Sequence, residues 1–154
     1  MRKALLIILA IFCISGCATT NQSEFSINEW ELTRKISDLI FQWNKMRIQG
    51  DTEEEKKISE DLGNIIDANK GLVEKTFKGN DIAIKKTMLI AIGFGHLPET
   101  VDLLIAELNN PDDDIKARAA SGLGIFASKT TPLEQLTKLL SHQNPTVKSS
   151  VAFA

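Results

Sequence analysis

The chain has 154 residues, of which 43% are hydrophobic and 25% charged, a balance typical of one globular unit that excludes a fully disordered chain. Its formal net charge of -2 provides no global basic field, which argues against a nucleic-acid partner. Both cysteines, Cys13 and Cys17, lie near the N-terminus, so no disulfide framework and no cysteine-based zinc site is available after Cys17.

Residues 1–16 have the organisation of an export signal. Arg2 and Lys3 precede an apolar stretch, Ala4–Ile14, that is shorter than the roughly 20 residues of a membrane span. The next residues complete Ile14-Ser15-Gly16-Cys17, and this motif resembles the lipobox of bacterial lipoproteins. An ordinary secretory signal and an uncleaved anchor are the alternatives.

The lipobox resemblance implies that Cys17 is acylated and becomes the first residue of the mature protein. A multiply acylated cysteine anchors stably, because each buried methylene contributes about 0.8 kcal/mol. Residues 17–26 are then a lipidated tether, small and polar at its start. Ala18 implies sorting to the periplasmic side of the outer membrane in a cell with two membranes. The expected location is therefore the bacterial cell envelope.

Residues 27–79 are predicted to form an N-terminal helical hairpin. Ser26 or Asn28 is suited to cap its first helix, and Gly50-Asp51 is suited to end it. Trp30 is interpreted as a core residue, with contact to a partner as the alternative. Apolar residues at helical spacing predict the buried stripe of this helix: Ile36, Leu39, Ile40, Trp43 and Met46.

A second helical pattern starts at the acid-rich segment "DTEEEKK", whose carboxylates suit a helix N-terminus. Gly63 and Gly71 weaken the pattern and leave open whether it forms one bent helix or two shorter ones. Its predicted buried residues are Ile58, Leu62, Ile65, Ile66, Leu72, Val73 and Phe77.

From residue 80 onwards the sequence repeats with a period of 31 to 32 residues. Asp81–Gly93 matches Asp112–Gly124, and Val101–Leu108 matches Leu133–Leu140. A third copy begins at Asn144 and stops within its first helix. Each unit is therefore a pair of helices that buries its apolar face by stacking on its neighbours.

Equivalent positions of the repeats are predicted to have the same structural role. Asp81, Asp112 and Asn144 are predicted helix N-caps, and Gly93 and Gly124 are predicted to end the first helix of their units. The predicted buried positions are Ile84, Met88, Ala119, Ala120, Ile115, Val147 and Val151 in the first helices, and Val101, Leu104, Leu108, Leu133, Leu136 and Leu140 in the second.

The pattern "D…(I/V)K…A…LG" in the first helix resembles that of short HEAT-like repeats. The resemblance covers residues 80–154 and implies an all-α fold in which antiparallel helix pairs stack into an α-solenoid. Because the period is shorter than that of most HEAT repeats, another α-solenoid and a plain helical bundle stay open as alternatives.

The third unit ends with an apolar face, whereas the end of a solenoid normally has a polar cap. Val147, Val151 and Phe153 form that face. We expect either that the chain is a fragment of a longer array or that these residues are buried by a partner or by a fold-back. Exposure of this face would favour self-association through the C-terminal helix.

No combination of residues typical of an enzyme, a metal site or a cofactor site is found. His96 and His142 are predicted to be solvent-exposed loop residues without ligand partners, and Asp112–Asp114 is predicted to cap a helix. Lysine recurs at one position of the repeat, as Lys85, Lys116 and Lys148. These lysines could form a row of cations that binds an acidic partner. The favoured interpretation is that each pairs with a neighbouring acid or stays solvated.

These features predict a lipid-anchored, exported scaffold or adaptor that binds another protein. The alternatives are the N-terminal part of a longer envelope enzyme and a structural protein that bridges envelope layers. Stacked helix pairs create an extended binding surface, and we expect it on the second helix of each unit, through the polar residues Asp102, Glu107, Glu134, Gln135 and Lys138.

Overall fold

The structure, a computed structural model, describes residues 26–126 and 133–154. The described residues contain helices and no strand, which confirms the all-α class. None of the helices in these two ranges is long and apolar enough to cross a bilayer. The described part of the chain forms eight helices: α1 (Ile27–Gln49), α2 (Thr52–Ala68), α3 (Lys70–Lys78), α4 (Ile82–Ala91), α5 (Glu99–Glu107), α6 (Asp113–Phe126), α7 (Leu133–Leu139) and α8 (Pro145–Phe153).

The two ends of α1 carry the predicted signals. Ser26 is the N-cap and forms a capping box with Glu29, in which each side chain accepts a hydrogen bond from the other residue's backbone N–H. Gly50 ends the helix in the left-handed conformation, with φ of 75°, and Asp51 then caps α2. On α1, Ile36 and Trp43 are buried against the packed neighbours α2 and α4.

The second pattern forms two helices, α2 and α3, and the break lies at Asn69 rather than at either glycine. The Asn69 side-chain amide donates to the carbonyl of Ile65 at 2.7 Å, which satisfies an acceptor at the end of α2. Gly71 lies within α3, where an added Cβ would meet no atom within 4 Å. Close contact therefore does not explain this glycine.

An ion pair links the N-terminus of α1 to α3. Nζ of Lys75 donates to both carboxylate oxygens of Glu29, at 3.1 and 2.8 Å. Together with hydrogen bonds from the backbone and side chain of Ser26, this lysine lowers the pKa of Glu29 to about 2. Glu29 therefore caps α1 and links two helices that are distant in sequence.

We predict that Glu29→Gln lowers the free energy of unfolding by about 1 kcal/mol at pH 7, a value reduced by the partial exposure of the pair. Because the pKa of Glu29 is lowered on folding, its contribution is complete above about pH 4.5. It decreases as pH falls towards about 2. Urea unfolding of both proteins between pH 7 and pH 3 measures this difference, which should shrink with acid.

The control for this experiment is Glu31→Gln, which removes an exposed carboxylate two residues further along α1. It should change stability by less than about 0.5 kcal/mol at every pH. A Glu29→Gln difference that stayed constant from pH 7 to pH 3 would contradict the proposed role of the ionised carboxylate.

The predicted caps and first-helix cores of the repeated units are confirmed. The side chains of Asp81, Asp112 and Asn144 accept backbone N–H groups at the starts of α4, α6 and α8. Helix α6 packs against α4, α5 and α8. All the predicted positions of the first helices are buried: Ile84, Met88, Ile115, Ala119, Ala120, Val147 and Val151.

The prediction that Gly124 ends a helix is wrong, because α6 continues to Phe126. The residue instead permits close approach of the last helix. A Cβ at Gly124 would lie 2.7 Å from Cα of Ala154 and 2.9 Å from Cδ1 of Phe153. Gly93 does follow the end of α4, and it also lies at a close crossing with α6.

The predicted stripe of the second helices is buried in α5 but only in part in α7. Val101, Leu104 and Leu108 are buried, whereas Leu133 and Leu140 are 72% and 47% exposed. The reason is the difference in neighbours: α5 packs on the fourteen-residue α6, while the main neighbour of α7 is the nine-residue α8. Of the α7 positions, Leu136 is buried as predicted.

The C-terminal helix forms as predicted and packs mainly on α6. Val147 and Val151 are buried there, so the expectation of an uncovered apolar face does not hold for these two residues. Phe153 is 42% exposed and lies beside Arg47 of α1. The end of α8 is thus in contact with both α6 and α1.

Candidate protein-binding groove

A groove of about 560 Å³ runs beside α1, over the neighbouring helices α6 and α8. We call it the α1 groove. Helix α1 forms one wall with the flank next to its buried stripe, because its buried side packs on α2 and α4 and leaves this flank open. The groove is defined by thirteen residues: Ser37, Ile40, Phe41, Trp43, Asn44, Arg47, Ile90, Arg118, Ser121, Ile125, Ser149, Ser150 and Phe153.

The end of the α1 groove is built around one guanidinium group. Cζ of Arg47 lies 5.0 Å from the ring centroid of Trp43 and 4.7 Å from that of Phe153, so the cation contacts both rings. Trp43 is itself fixed by an edge-to-face contact with Phe94, at 5.1 Å between ring centroids. These contacts join the end of α1 to the end of α8.

The second arginine of the groove has intramolecular partners. Nε of Arg118 donates to Oδ1 of Asp114 at 2.7 Å, and its Nη1 donates to the carbonyl of Lys86 at 3.4 Å. In contrast, Arg47 has no carboxylate within ion-pair distance among the described residues. Within the described part of the chain, Arg47 is therefore the arginine of the groove that is outside any ion pair.

The surface of the α1 groove combines apolar and small polar side chains. Six of its residues are apolar, four are serines and one is asparagine, and none is an acid. Phe41 is 73% exposed, an unusual position for a phenylalanine of a well-packed helix. The groove therefore offers hydrophobic contact, hydroxyl groups and positive charge together.

A smaller depression of about 430 Å³ continues along α1 towards its N-terminus and shares Ser37 with the α1 groove. Trp30, Arg34 and Ala83 are among its lining residues. The structure thus places Trp30 at the surface, 40% exposed, whereas Trp43 is buried as predicted. Concave surface accordingly follows α1 along most of its length.

None of the residues predicted to bind a partner lies in the α1 groove. Four of them are exposed on α5 or α7, and Nζ of Lys138 pairs with the carboxylate of Glu134 at 2.9 Å. Glu107 is largely buried instead, with 14% of its side chain exposed, and its carboxylate pairs with Lys85 at 2.5 Å. The four exposed residues are Asp102, Glu134, Gln135 and Lys138.

The recurring lysines do not form a ladder of available cations. Lys85 pairs with Glu107, and Lys116 pairs with Asp113 at 3.0 Å, so both cations are compensated within the protein. Lys148 is exposed on α8. The favoured interpretation, pairing with acids or solvation, is confirmed at these positions.

The acidic run at the start of α6 connects successive units. Nζ of Lys86 in α4 lies 3.0 Å from a carboxylate oxygen of Asp112 and 3.0 Å from one of Asp114. These contacts raise the pKa of Lys86 and contribute to the lowered pKa of Asp112. Asp113 accepts a hydrogen bond from the side-chain amide of Asn144, the cap of α8, at 3.1 Å. The run therefore acts as a cap and as a connection between units.

The two histidines have different surroundings. His96 is exposed, as predicted, and its Nδ1 lies 2.8 Å from Oδ2 of Asp67. The prediction is wrong for His142, which is only 24% exposed, because its Nε2 lies 3.2 Å from Nζ of Lys116 and its Nδ1 accepts the backbone N–H of Asn144. In the two described ranges, no group of three His, Cys, Asp or Glu side chains is arranged to hold a metal ion.

Cys17, the predicted lipidation site, and the segments 1–16 and 17–25 lie outside the described residues. Comparison with protein-family models, curated proteins and solved structures gives no match for this chain. The functional interpretation therefore depends on the sequence motifs and on the geometry of the α1 groove.

The α1 groove was not predicted from the sequence, because the apolar pattern of α1 indicated only its buried stripe. A second series of α1 positions, spaced by three or four residues, lies on the flank of the helix next to the buried stripe, about 100° round the helix axis. This series was visible in the sequence as apolar residues outside the core stripe, most clearly Phe41 and Ile48. Its members are Ile27, Trp30, Arg34, Ser37, Phe41, Asn44 and Ile48.

Proposed function

We propose that the protein is a lipid-anchored helical-repeat scaffold that binds another protein at the bacterial cell envelope. The observation that carries the binding role is the α1 groove, an open concave surface with exposed apolar side chains and an arginine, Arg47, that forms no ion pair with the described residues. Exposed apolar surface of this kind is typical of interaction sites. The envelope location is supported by the lipobox-like motif ending at Cys17.

The arrangement of the helix pairs as HEAT-like repeats is part of this proposal. It is supported by the side-by-side packing of α6 with α4 and α8, the first helices of successive units. It is also supported by the equivalent caps Asp81, Asp112 and Asn144. Stacked units of this type provide rigid surfaces on which other proteins assemble. The proposal assigns the protein no catalytic step.

The binding surface proposed here differs from the one expected from the sequence. The second helices α5 and α7 carry the residues expected to bind, whereas the α1 groove lies on the side of the first helices. We favour the groove because it combines concavity, Phe41 and Arg47 in one place. In contrast, the exposed polar residues of α5 and α7 do not line the groove.

We predict that Cys17 is acylated and that Cys17→Ser abolishes both acylation and membrane anchoring. Cells expressing the full-length chain are labelled with a clickable fatty acid and fractionated. The parent protein should carry the label and sediment with membranes, since acyl chains provide the anchor. Ser15→Ala, which keeps a small residue before the cysteine, is the matched control and should retain the label. Equal labelling of the parent and Cys17→Ser would contradict the anchoring part of the proposal.

A further inference from the structure

We infer that the α1 groove binds an acidic segment of a partner protein, with Arg47 as the contact for a carboxylate and Phe41 as the contact for an apolar side chain. The inference rests on the proposed scaffold function and names the chemistry of the partner. It follows from charge complementarity, from the surroundings of Arg47 and from the exposure of Phe41.

The charge of the α1 groove is opposite in sign to that of the whole chain. The chain has 20 acidic and 18 basic residues, yet the thirteen residues of the groove include two arginines and no acid. A concave site with one sign of charge concentrates the field and attracts ligands of the opposite sign. A partner segment with carboxylates is therefore favoured within the groove, whereas the adjoining cavity that Arg47 also lines contains Glu55 and Glu60.

The surroundings of Arg47 suit recognition of a carboxylate. Contact with the rings of Trp43 and Phe153, at 5.0 and 4.7 Å from Cζ, holds the guanidinium group in place without using its N–H donors in an ion pair. Arginine binds a carboxylate through two parallel N–H···O hydrogen bonds in the plane of the guanidinium group. The held group can form these bonds with little further ordering.

Arg118 has a different role, because its hydrogen bonds to Asp114 and to the carbonyl of Lys86 leave fewer donors for a partner. It still contributes to the field of the groove, although Asp114 compensates part of its charge. The specific contact is therefore assigned to Arg47.

The apolar part of the groove favours a protein segment over an isolated anion. Phe41 is 73% exposed on the wall, and Ile40 and Ile125 are partly buried beside it. An aliphatic or aromatic side chain placed here would cover Phe41, and burial of such a side chain is a common source of binding energy at protein interfaces. Ser121, Ser149 and Ser150 supply hydroxyl groups for the polar parts of the same segment.

A displayed library of random 16-residue peptides tests the inference. The protein is expressed from the full 154-residue sequence, purified in detergent and used for selection. Enriched peptides should contain Asp or Glu together with aliphatic or aromatic residues. Binding of an enriched peptide should weaken several-fold when the salt concentration is raised from about 0.05 to about 0.5 M, because salt screens the attraction.

Variants locate the binding site. Arg47→Gln and Phe41→Ser should each weaken binding of an enriched peptide by about tenfold or more, and Arg47→Lys should lie between Arg47→Gln and the parent because it keeps the charge but not the planar donors. The matched controls are Lys56→Gln and Leu133→Ser, which alter an exposed cation and an exposed apolar residue outside the groove. They should change binding less than twofold.

Three outcomes would overturn the inference. Enrichment of neutral or basic peptides that still depend on Phe41 would reject the acidic partner while leaving the proposed protein-binding function in place. Failure to enrich any peptide would reject a short segment as the ligand. Binding to phosphatidylglycerol vesicles that depends on Phe41 and Arg47, without peptide binding, would assign the surface to a membrane instead.

Discussion

Replacing Ala120 with arginine is expected to lower the free energy of unfolding by about 4 kcal/mol, or the melting temperature by roughly 15 °C. Ala120 has no exposed surface and lies on α6, which packs against α4, α5 and α8. An arginine there must bury an unpaired charge or separate the helices, and both are severely destabilising. For a domain stabilised by about 5–15 kcal/mol, the loss is a large fraction of the total.

Thermal unfolding followed by circular dichroism measures this effect. The matched control is Ala106→Arg, which places the same side chain at an exposed position of α5. It should change stability by less than about 0.5 kcal/mol. Equal melting temperatures for Ala120→Arg and Ala106→Arg would show that Ala120 is not enclosed between helices, and the alignment of the repeats would then be incorrect.

Gly122→Ala is expected to destabilise the protein by about 3 kcal/mol. An added Cβ would lie 2.2 Å from the backbone oxygen of Leu89 and 2.9 Å from Cδ2 of Leu104. The first contact is with backbone, so α4 and α6 would have to move apart. The better helix propensity of alanine, about 1 kcal/mol, offsets only part of this cost.

Gly71→Ala is the matched control, because the same change within α3 meets no atom within 4 Å. It should raise stability by up to about 1 kcal/mol through helix propensity alone. Chemical unfolding of the two variants gives the comparison. Stabilisation by both substitutions would contradict the close packing of α4 on α6.

The features predicted correctly from the sequence are those set by local chemistry or by the repeat. An acid or amide directly before an apolar helical pattern is well suited to accept a backbone N–H at the start of the helix. The structure shows this N-cap role for Asp81, Asp112 and Asn144. Positions equivalent to Ile84 recur because each first helix packs on the next one. The caps depend only on residues close in sequence, and the buried positions depend only on packing against the next repeat.

The features that the sequence did not predict depend on packing between distant segments. Leu133 is equivalent to Val101 in the repeat alignment, but Leu133 is exposed. The alignment does not indicate how much surface of a neighbouring helix packs against α7. Gly124 resembles a helix terminator, yet its role depends on where α8 lies. The α1 groove likewise exists because Arg47 meets Phe153, more than a hundred residues further along the chain.

The central claim, that the α1 groove is the protein-binding site, is tested most directly by photo-cross-linking in cells. The full-length chain is expressed with p-benzoylphenylalanine at position 41, in the groove, or at position 133, which is equally exposed on α7. We predict a discrete cross-linked protein from position 41, diminished by Arg47→Gln, and none from position 133. A cross-linked partner from position 133 with none from position 41 would contradict the claim and would place the binding surface on the second helices.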